Sequence, residues 1–161
     1  MEYLTAHELE LCEQARMMCA CNQLRRASRT ITQHYDTVLA AHGLKVTQLP
    51  ILIALGLGGD LPVTSLADLL ALDRTTLTRN LKVLARRGLV QYPDHNGDAR
   101  VRLVGLSLEG SRVLSQTLEQ WTAVQTDVET RFDFERLRVL YGELRALTEA
   151  IVETRTPVAV A

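Results

Sequence analysis

DRTTLTRNLKVLARR, residues 73–87, is the stretch on which the reading of this chain turns. Wound as a helix of about 3.6 residues per turn, it sets Leu77, Leu81 and Leu84 on one line and Thr75, Arg79, Lys82 and Arg86 on the opposite one. Asp73 stands where an N-cap belongs and Gly88 where a left-handed C-cap residue belongs, with Arg86 and Arg87 complementing the negative end of the dipole. The product is a helix with a dry back and a cationic front. A solvated surface helix shows the same pattern, so the neighbouring segments decide between the two.

Upstream, residues Thr64 to Leu70 predict a helix of about two turns opened by Ser65-Leu66-Ala67-Asp68, a Ser-x-x-Asp capping box. Ala71-Leu72-Asp73 then connects it to the basic helix, which is the spacing of a helix-turn-helix, and Ala67 is small enough for close approach. Downstream, Leu89 to Tyr92 predicts a short strand, Pro93 to Asp98 a turn containing the hairpin signal Asn96-Gly97, and Arg100 to Leu106 a return strand. A hairpin directly after a basic helix makes a wing, and Arg100 and Arg102 alternate onto one of its faces.

Further out, residues 8 to about 41 predict one long helix with apolar or small residues at Cys21, Leu24, Ser28, Ile31, Tyr35 and Val38. Thr47 to Leu57 predicts a strongly apolar helix capped by Thr47, with Pro50 in its first turn. Ser107 caps another long helix with a stripe at Leu114, Leu118, Trp121, Val124 and Val128. After a break near Phe132-Asp133, a last helix carries Leu137, Leu140, Tyr141, Leu144, Leu147 and Ile151, and the tail from Thr156 reads as frayed. A winged unit closes its own core, so the stripes of the flanking helices need another partner, most economically a second copy of themselves. The expected fold is mainly α with a small β-hairpin wing: a winged helix-turn-helix plus a helical dimerisation lobe. The expected domains are residues 8–46 (N-terminal dimerisation helix), 47–106 (DNA-binding unit) and 107–155 (C-terminal dimerisation helices).

Composition agrees with this outline. The 161 residues carry a net charge of -1 and are 47% hydrophobic, with no apolar run long enough to span a membrane and acidic residues where a signal peptide would be basic; no membrane and a cytoplasmic location are expected. Charge is unevenly spread. Residues 73–102 hold seven bases against three acids, whereas from Leu103 onward six arginines face nine acids, so positive potential is confined to one segment. Few aromatics argue against a single-strand stacking platform. No Ser-His-Asp set, glycine-rich phosphate loop, metal pair or C-x-x-C occurs, so no enzyme, no metal and no cofactor is expected. The competing readings are a thiol-based redox enzyme and a winged module for protein contacts.

The segments TSLADLLALDRTTLTRNLKVLARRGLV (64–90) and DHNGDARVRLVGLSLEG (94–110) resemble those of the MarR family of bacterial transcriptional regulators. The first resembles the family's L-A-x-x-L helix and recognition helix ending in a basic pair and Gly-Leu-Val. The second resembles its D-x-R wing followed by V-x-L-(S/T)-x-x-G. The resemblance implies a homodimer that represses transcription on a palindromic operator in double-stranded DNA, with half-sites about one helical turn apart. It implies base contacts from Thr75, Thr76, Thr78 and Arg79, backbone contacts from Lys82 and Arg86, and a wing-tip Arg100 held by Asp98 and looking into the minor groove. Ser65 and Arg74 complete the DNA-facing set. From the residues alone, Thr76 and Thr78 also read as flank packing, and Asp98 with Arg100 as a brace of the hairpin.

Cys12, Cys19 and Cys21 all lie in the first helix and are expected to be reduced thiols. The run from Cys21 to Arg29 is similar to the organic-peroxide-sensing branch of the family, which implies a reactive Cys21 supported by Tyr35; Arg25 and Val46 stand where that branch has its other tyrosines. Arg25, one turn beyond, favours the thiolate. On the apolar stripe, Cys21 reads first as a small packed hydrophobe, ahead of the redox reading, and metal or metalloid binding is a third reading. The resemblance further implies a cleft for small aromatic effectors near His34, His42, Tyr35 and Trp121, beside the peroxide reading; each of these also reads as a packing or surface residue.

Overall fold

Thr5 begins the first helix, α1 (Ala6–Met18), by a reciprocal cap. Its hydroxyl accepts the Glu8 amide at 3.3 Å and the Glu8 carboxylate accepts the Thr5 amide at 2.6 Å. The computed structural model that shows this describes residues 3–93 and 102–153. The single long helix expected over residues 8 to 41 is two helices. Cys19 leaves the helical region with ψ 109°, and α2 (Ala20–Leu39) starts after it. The Met17 carbonyl at the end of α1 accepts the Gln23 side-chain amide at 2.8 Å, which satisfies one of the groups released by the break. No proline or glycine marks the place, so nothing in the local sequence announces it.

A 3-10 turn (Ala40–His42) and Gly43, at φ +64°, finish α2. Asp36 Oδ1 then accepts the Val46 amide at 2.6 Å and Gln48 Oε1 the Lys45 amide at 3.2 Å, which shapes the approach to α3 (Leu49–Gly58). Gln48, not Thr47, occupies the N-cap, while Pro50 sits in the first turn as expected. Leu49, Ile51, Leu52, Ala54 and Leu55 are buried, so α3 is the central helix of the core.

Strand β1 (Leu61–Pro62) runs directly into α4 (Val63–Leu69). The helix begins one residue earlier than expected because the Val63 amide is already satisfied by the Arg102 carbonyl at 3.0 Å. Pro62 therefore holds the N-cap position and Ser65 lies inside the first turn, so the Ser65–Asp68 capping box does not form. After α5 (Arg74–Arg86), β2 (Val90–Gln91) and β3 (Leu103–Leu106) pair antiparallel, Val90 opposite Leu106 and Gln91 opposite Gly105. Leu61 also pairs with Val104 and Pro62 with Leu103, giving a three-stranded sheet in the order β1-β3-β2 rather than a lone hairpin. The expected turn, with Asn96-Gly97, Asp98 and Arg100, lies outside the described residues.

Leu39, Leu44, Leu66, Leu77, Leu81 and Leu84 close on α3 and the sheet. Each such leucine is worth about 1.5–3 kcal/mol over its exposed state. Two long helices follow, α6 (Leu108–Phe132) and α7 (Phe134–Glu153). The expected break between them is real: Asp133 adopts φ +78° and its carboxylate accepts the Arg136 amide at 3.1 Å. The chain divides into two compact units, Met1–Trp121 and Thr122–Ala161. In the second, Gln125 donates to Glu129 at 2.9 Å and to the Tyr141 hydroxyl at 3.3 Å. No helix of the described residues is long and apolar enough to cross a membrane.

Candidate nucleic-acid interface

The basic helix is built as its sequence dictates. Leu77, Leu81 and Leu84 are at most 2% exposed, and Arg74, Thr75, Thr76, Thr78, Arg79, Lys82 and Arg86 are exposed. Asp73 caps it, with Oδ1 accepting the Thr76 amide at 2.8 Å and Oδ2 the Thr76 hydroxyl at 2.6 Å. These bonds hold the Asp73 carboxyl below its ordinary 3.8, the side-chain bond from Thr76 contributing most and its backbone amide next. The other end closes in a Schellman motif: Leu89 donates to the Leu84 carbonyl at 3.0 Å and Gly88 to that of Ala85 at 2.9 Å, with Gly88 at φ +68°.

Among the described residues no acid lies within salt-bridge distance of Arg74, Arg79, Lys82 or Arg86. Four arginines elsewhere are paired within their own helices, Arg16 with Glu13, Arg112 with Glu109, Arg131 with Asp127 and Arg138 with Glu135, whereas Arg25, Arg26 and Arg29 of α2 make no ion pair among the described residues. The cations of α5 thus form a ridge that no acid among the described residues compensates, as an anionic partner requires. Thr76 and Thr78 stand in solvent instead of packing, although the Thr76 hydroxyl is engaged by the cap. Ser65 is exposed on α4, the neighbouring helix of the motif.

Three contacts that support this ridge were not evident in the sequence. Arg87 donates from Nη1 to the Gly43 carbonyl at 2.6 Å and from Nη2 to the His42 carbonyl at 2.9 Å. The Ser107 hydroxyl donates to the Gly88 carbonyl at 2.5 Å and accepts the Gly110 amide at 2.9 Å, joining the end of α5 to the start of α6. At the base of the wing the Arg102 guanidinium lies over the Tyr92 ring, 4.0 Å from its centroid. Register could have revealed the last of these. With Gln91 opposite Gly105, Arg102 falls diagonally across from Tyr92.

The thiols are less organised. Cys12, Cys19 and Cys21 are all exposed, so Cys21 is not packed within the single chain. Arg25 is also exposed, one turn further along α2. Tyr35 is buried at 7% exposure, edge-on to half-buried His34 at a centroid distance of 6.3 Å. Cys21 and Tyr35 are separated by 14 residues of one helix, about 21 Å along its axis, and do not meet within one chain. His42 is half-buried and Trp121 is 36% exposed. Among the described residues no three His, Cys, Asp or Glu side chains form a metal-ligating group.

This arrangement is a winged helix-turn-helix presenting a cationic helix. A family model described as "MarR family" matches residues 42–101. The transcriptional regulator MosR of M. tuberculosis, whose crystal structure was solved in complex with DNA, is 36% identical, the match covering 83% of this chain and 98% of that one with a TM-score of 0.71. A mutant MarR of E. coli, complexed with operator DNA, shares the fold at 16% identity and a TM-score of 0.75, over 83% of this chain and 96% of that one. YhbI of Bacillus subtilis, an uncharacterized HTH-type transcriptional regulator, is 26% identical over 148 residues, which cover 88% of this chain and 96% of its own. The chain belongs to the MarR family. It is a DNA-binding transcriptional regulator of the MarR type and not an enzyme.

Proposed function

We propose that the protein is a homodimeric repressor that binds a palindromic operator. Two copies of α5 enter successive major grooves, where Thr75, Thr76, Thr78 and Arg79 meet base edges and Ser65, Arg74, Lys82 and Arg86 meet the sugar-phosphate backbone. Arg100, oriented by Asp98, reads the adjacent minor groove from the wing. The observation that carries this reading is the exposed cationic ridge of α5, without an acid partner among the described residues and standing on a leucine core as the second helix of a helix-turn-helix. Thr76 has its hydroxyl in the cap, so it offers chiefly its methyl group, a partner for a thymine methyl.

Residues 47–106 form the DNA-binding unit, and residues 8–46 and 107–155 join two copies. Exposure supports the pairing. Helix α1 buries no residue and α2 buries only Tyr35 and Leu39 in the single chain, yet both are long, and helices in water owe most of their stability to a packed face. Met17, Leu24 and Ile31 are each at least 40% exposed, as are Tyr141 and Ile151 on α7. In a two-fold pair these faces are covered.

Release from DNA follows binding of a small aromatic effector or oxidation of Cys21. An exposed Cys21 thiol one turn from Arg25 is accessible to peroxide in the single chain, where Tyr35, about 21 Å further along the same helix, does not reach it. The test is release of operator by organic hydroperoxide, measured by fluorescence anisotropy for wild type and Cys21→Ser. The variant is expected to bind DNA normally and to resist release. Normal release from Cys21→Ser contradicts the thiol switch and leaves the effector route. Light scattering that shows a stable monomer at micromolar concentration contradicts the dimeric reading as a whole.

A further inference from the structure

Helix α5 ends against the segment that terminates α2, and a single side chain makes the joint. The two carbonyls bound by Arg87, those of His42 and Gly43, close the 3-10 turn that finishes α2. A helix end gathers unpaired carbonyls and partial negative charge, and a guanidinium answers both. Gly43 serves the joint twice. Its φ of +64° ends the turn, and its missing side chain leaves the surface on which the guanidinium lies, since a Cβ there would stand 3.2 Å from Nη2. On the α2 side the same connection is held by Asp36, which accepts the Val46 amide at 2.6 Å. The planar fork of arginine reaches both carbonyls at once, whereas the point charge of lysine does not.

We infer that Arg87 is a positioning residue for operator recognition: it fixes the angle between α5 and α2 and thereby sets the half-site spacing that the two-fold pair accepts. This rests on the dimeric reading proposed above. In that reading α2 runs toward the second copy while α5 lies on the DNA, so a small rotation at the joint changes the separation of the two recognition helices. In the sequence Arg87 stands beside Arg86, and both read as complements to the negative end of the α5 dipole. The geometry separates them, leaving Arg86 on the ridge and turning Arg87 back onto its own chain.

The test uses the full chain as wild type, Arg87→Ala and Arg87→Lys. Each is titrated against duplexes carrying an inverted repeat selected from a random pool, with the spacer at its selected length or changed by one base pair, over a range of salt concentrations. Both variants are expected to remain folded and dimeric and to keep the wild-type dependence of log affinity on log salt. Both are expected to lose roughly tenfold of the wild-type preference for the selected spacer, the order of effect of a lost charge-assisted contact. A salt slope reduced by about 0.9 per protomer in Arg87→Ala, with spacer preference intact, would make Arg87 a phosphate contact and overturn the inference. So would full retention of spacer preference in Arg87→Lys, which carries the test if Arg87→Ala does not fold. A wild type indifferent to spacer length contradicts the dimeric reading and the inference with it. A wild-type preference that survives both substitutions contradicts the inference alone.

Discussion

Asp73 spends both carboxylate oxygens on Thr76, Oδ1 on its amide and Oδ2 on its hydroxyl. The first turn of α5 is thus fixed before any DNA arrives, and the exposed residues on either side, Thr75 and Arg79, inherit a settled direction. Replacing Asp73 with Ala removes this cap and is expected to lower the melting temperature by about 2–4 °C, with a parallel loss of operator affinity.

The same pair gives a pH dependence with a definite sign. The bonds from Thr76 hold the folded Asp73 carboxyl below its ordinary 3.8, so the folded state binds that proton less readily than the unfolded chain. Its stabilising contribution is complete above that value and is lost as pH falls through the lower, folded value. Thermal melts of wild type and Asp73→Asn from neutral pH into strong acid should show the wild-type advantage shrinking only below the ordinary carboxylate range. An advantage that disappears already near pH 6 would contradict this assignment.

Arg79 and Lys82 lie one turn apart on the exposed ridge and are expected to fail differently. A guanidinium that binds guanine O6 and N7 together is worth about 1–3 kcal/mol of discrimination, so Arg79→Ala should relax sequence preference at one base pair of each half-site. Lys82→Ala should weaken all duplexes alike and reduce the salt slope by about 0.9 per protomer. Competition titrations with single-base operator variants at two salt concentrations distinguish the outcomes.

Gly110 meets the backbone where α6 leaves the wing. A Cβ added there would stand 1.9 Å from the Leu89 carbonyl oxygen, an approach that no side-chain rotation relieves. Gly110→Ala is therefore expected to destabilise the chain by about 1–3 kcal/mol in urea melts, by pushing α6 off the end of α5. The glycine at the end of the Leu-Ser-Leu-Glu-Gly run, which helped to carry the family resemblance, is thereby explained as a place of close contact and not of unusual dihedral angle.

What the sequence disclosed was local. Leu77, Leu81, Leu84, the Asp73 cap and the Gly88 end of α5 all follow from spacing within one helix, and the structure places them as expected. The break at Cys19 did not show, because neither proline nor glycine causes it and the side-chain amide of Gln23, four residues on, compensates it at the Met17 carbonyl. Leu61 to Val63 read as a short extended piece, but its pairing with β3 was not legible in so short a run, and that pairing displaces the cap expected at Ser65. Arg87 read as one cation among several, since its partners lie 44 and 45 residues away in sequence and are backbone carbonyls, which leave no mark on composition.

The central claim is that two cationic α5 helices are presented by a two-fold pair to one face of a duplex. Repeated selection of duplexes from a random pool by the full chain at physiological ionic strength, followed by sequencing, tests it most directly. The account predicts enrichment of an inverted repeat with half-sites centred about 10 base pairs apart, bound at least about a thousandfold more tightly than the unselected pool. Enrichment of a single unrepeated site, or no enrichment at all, would contradict it.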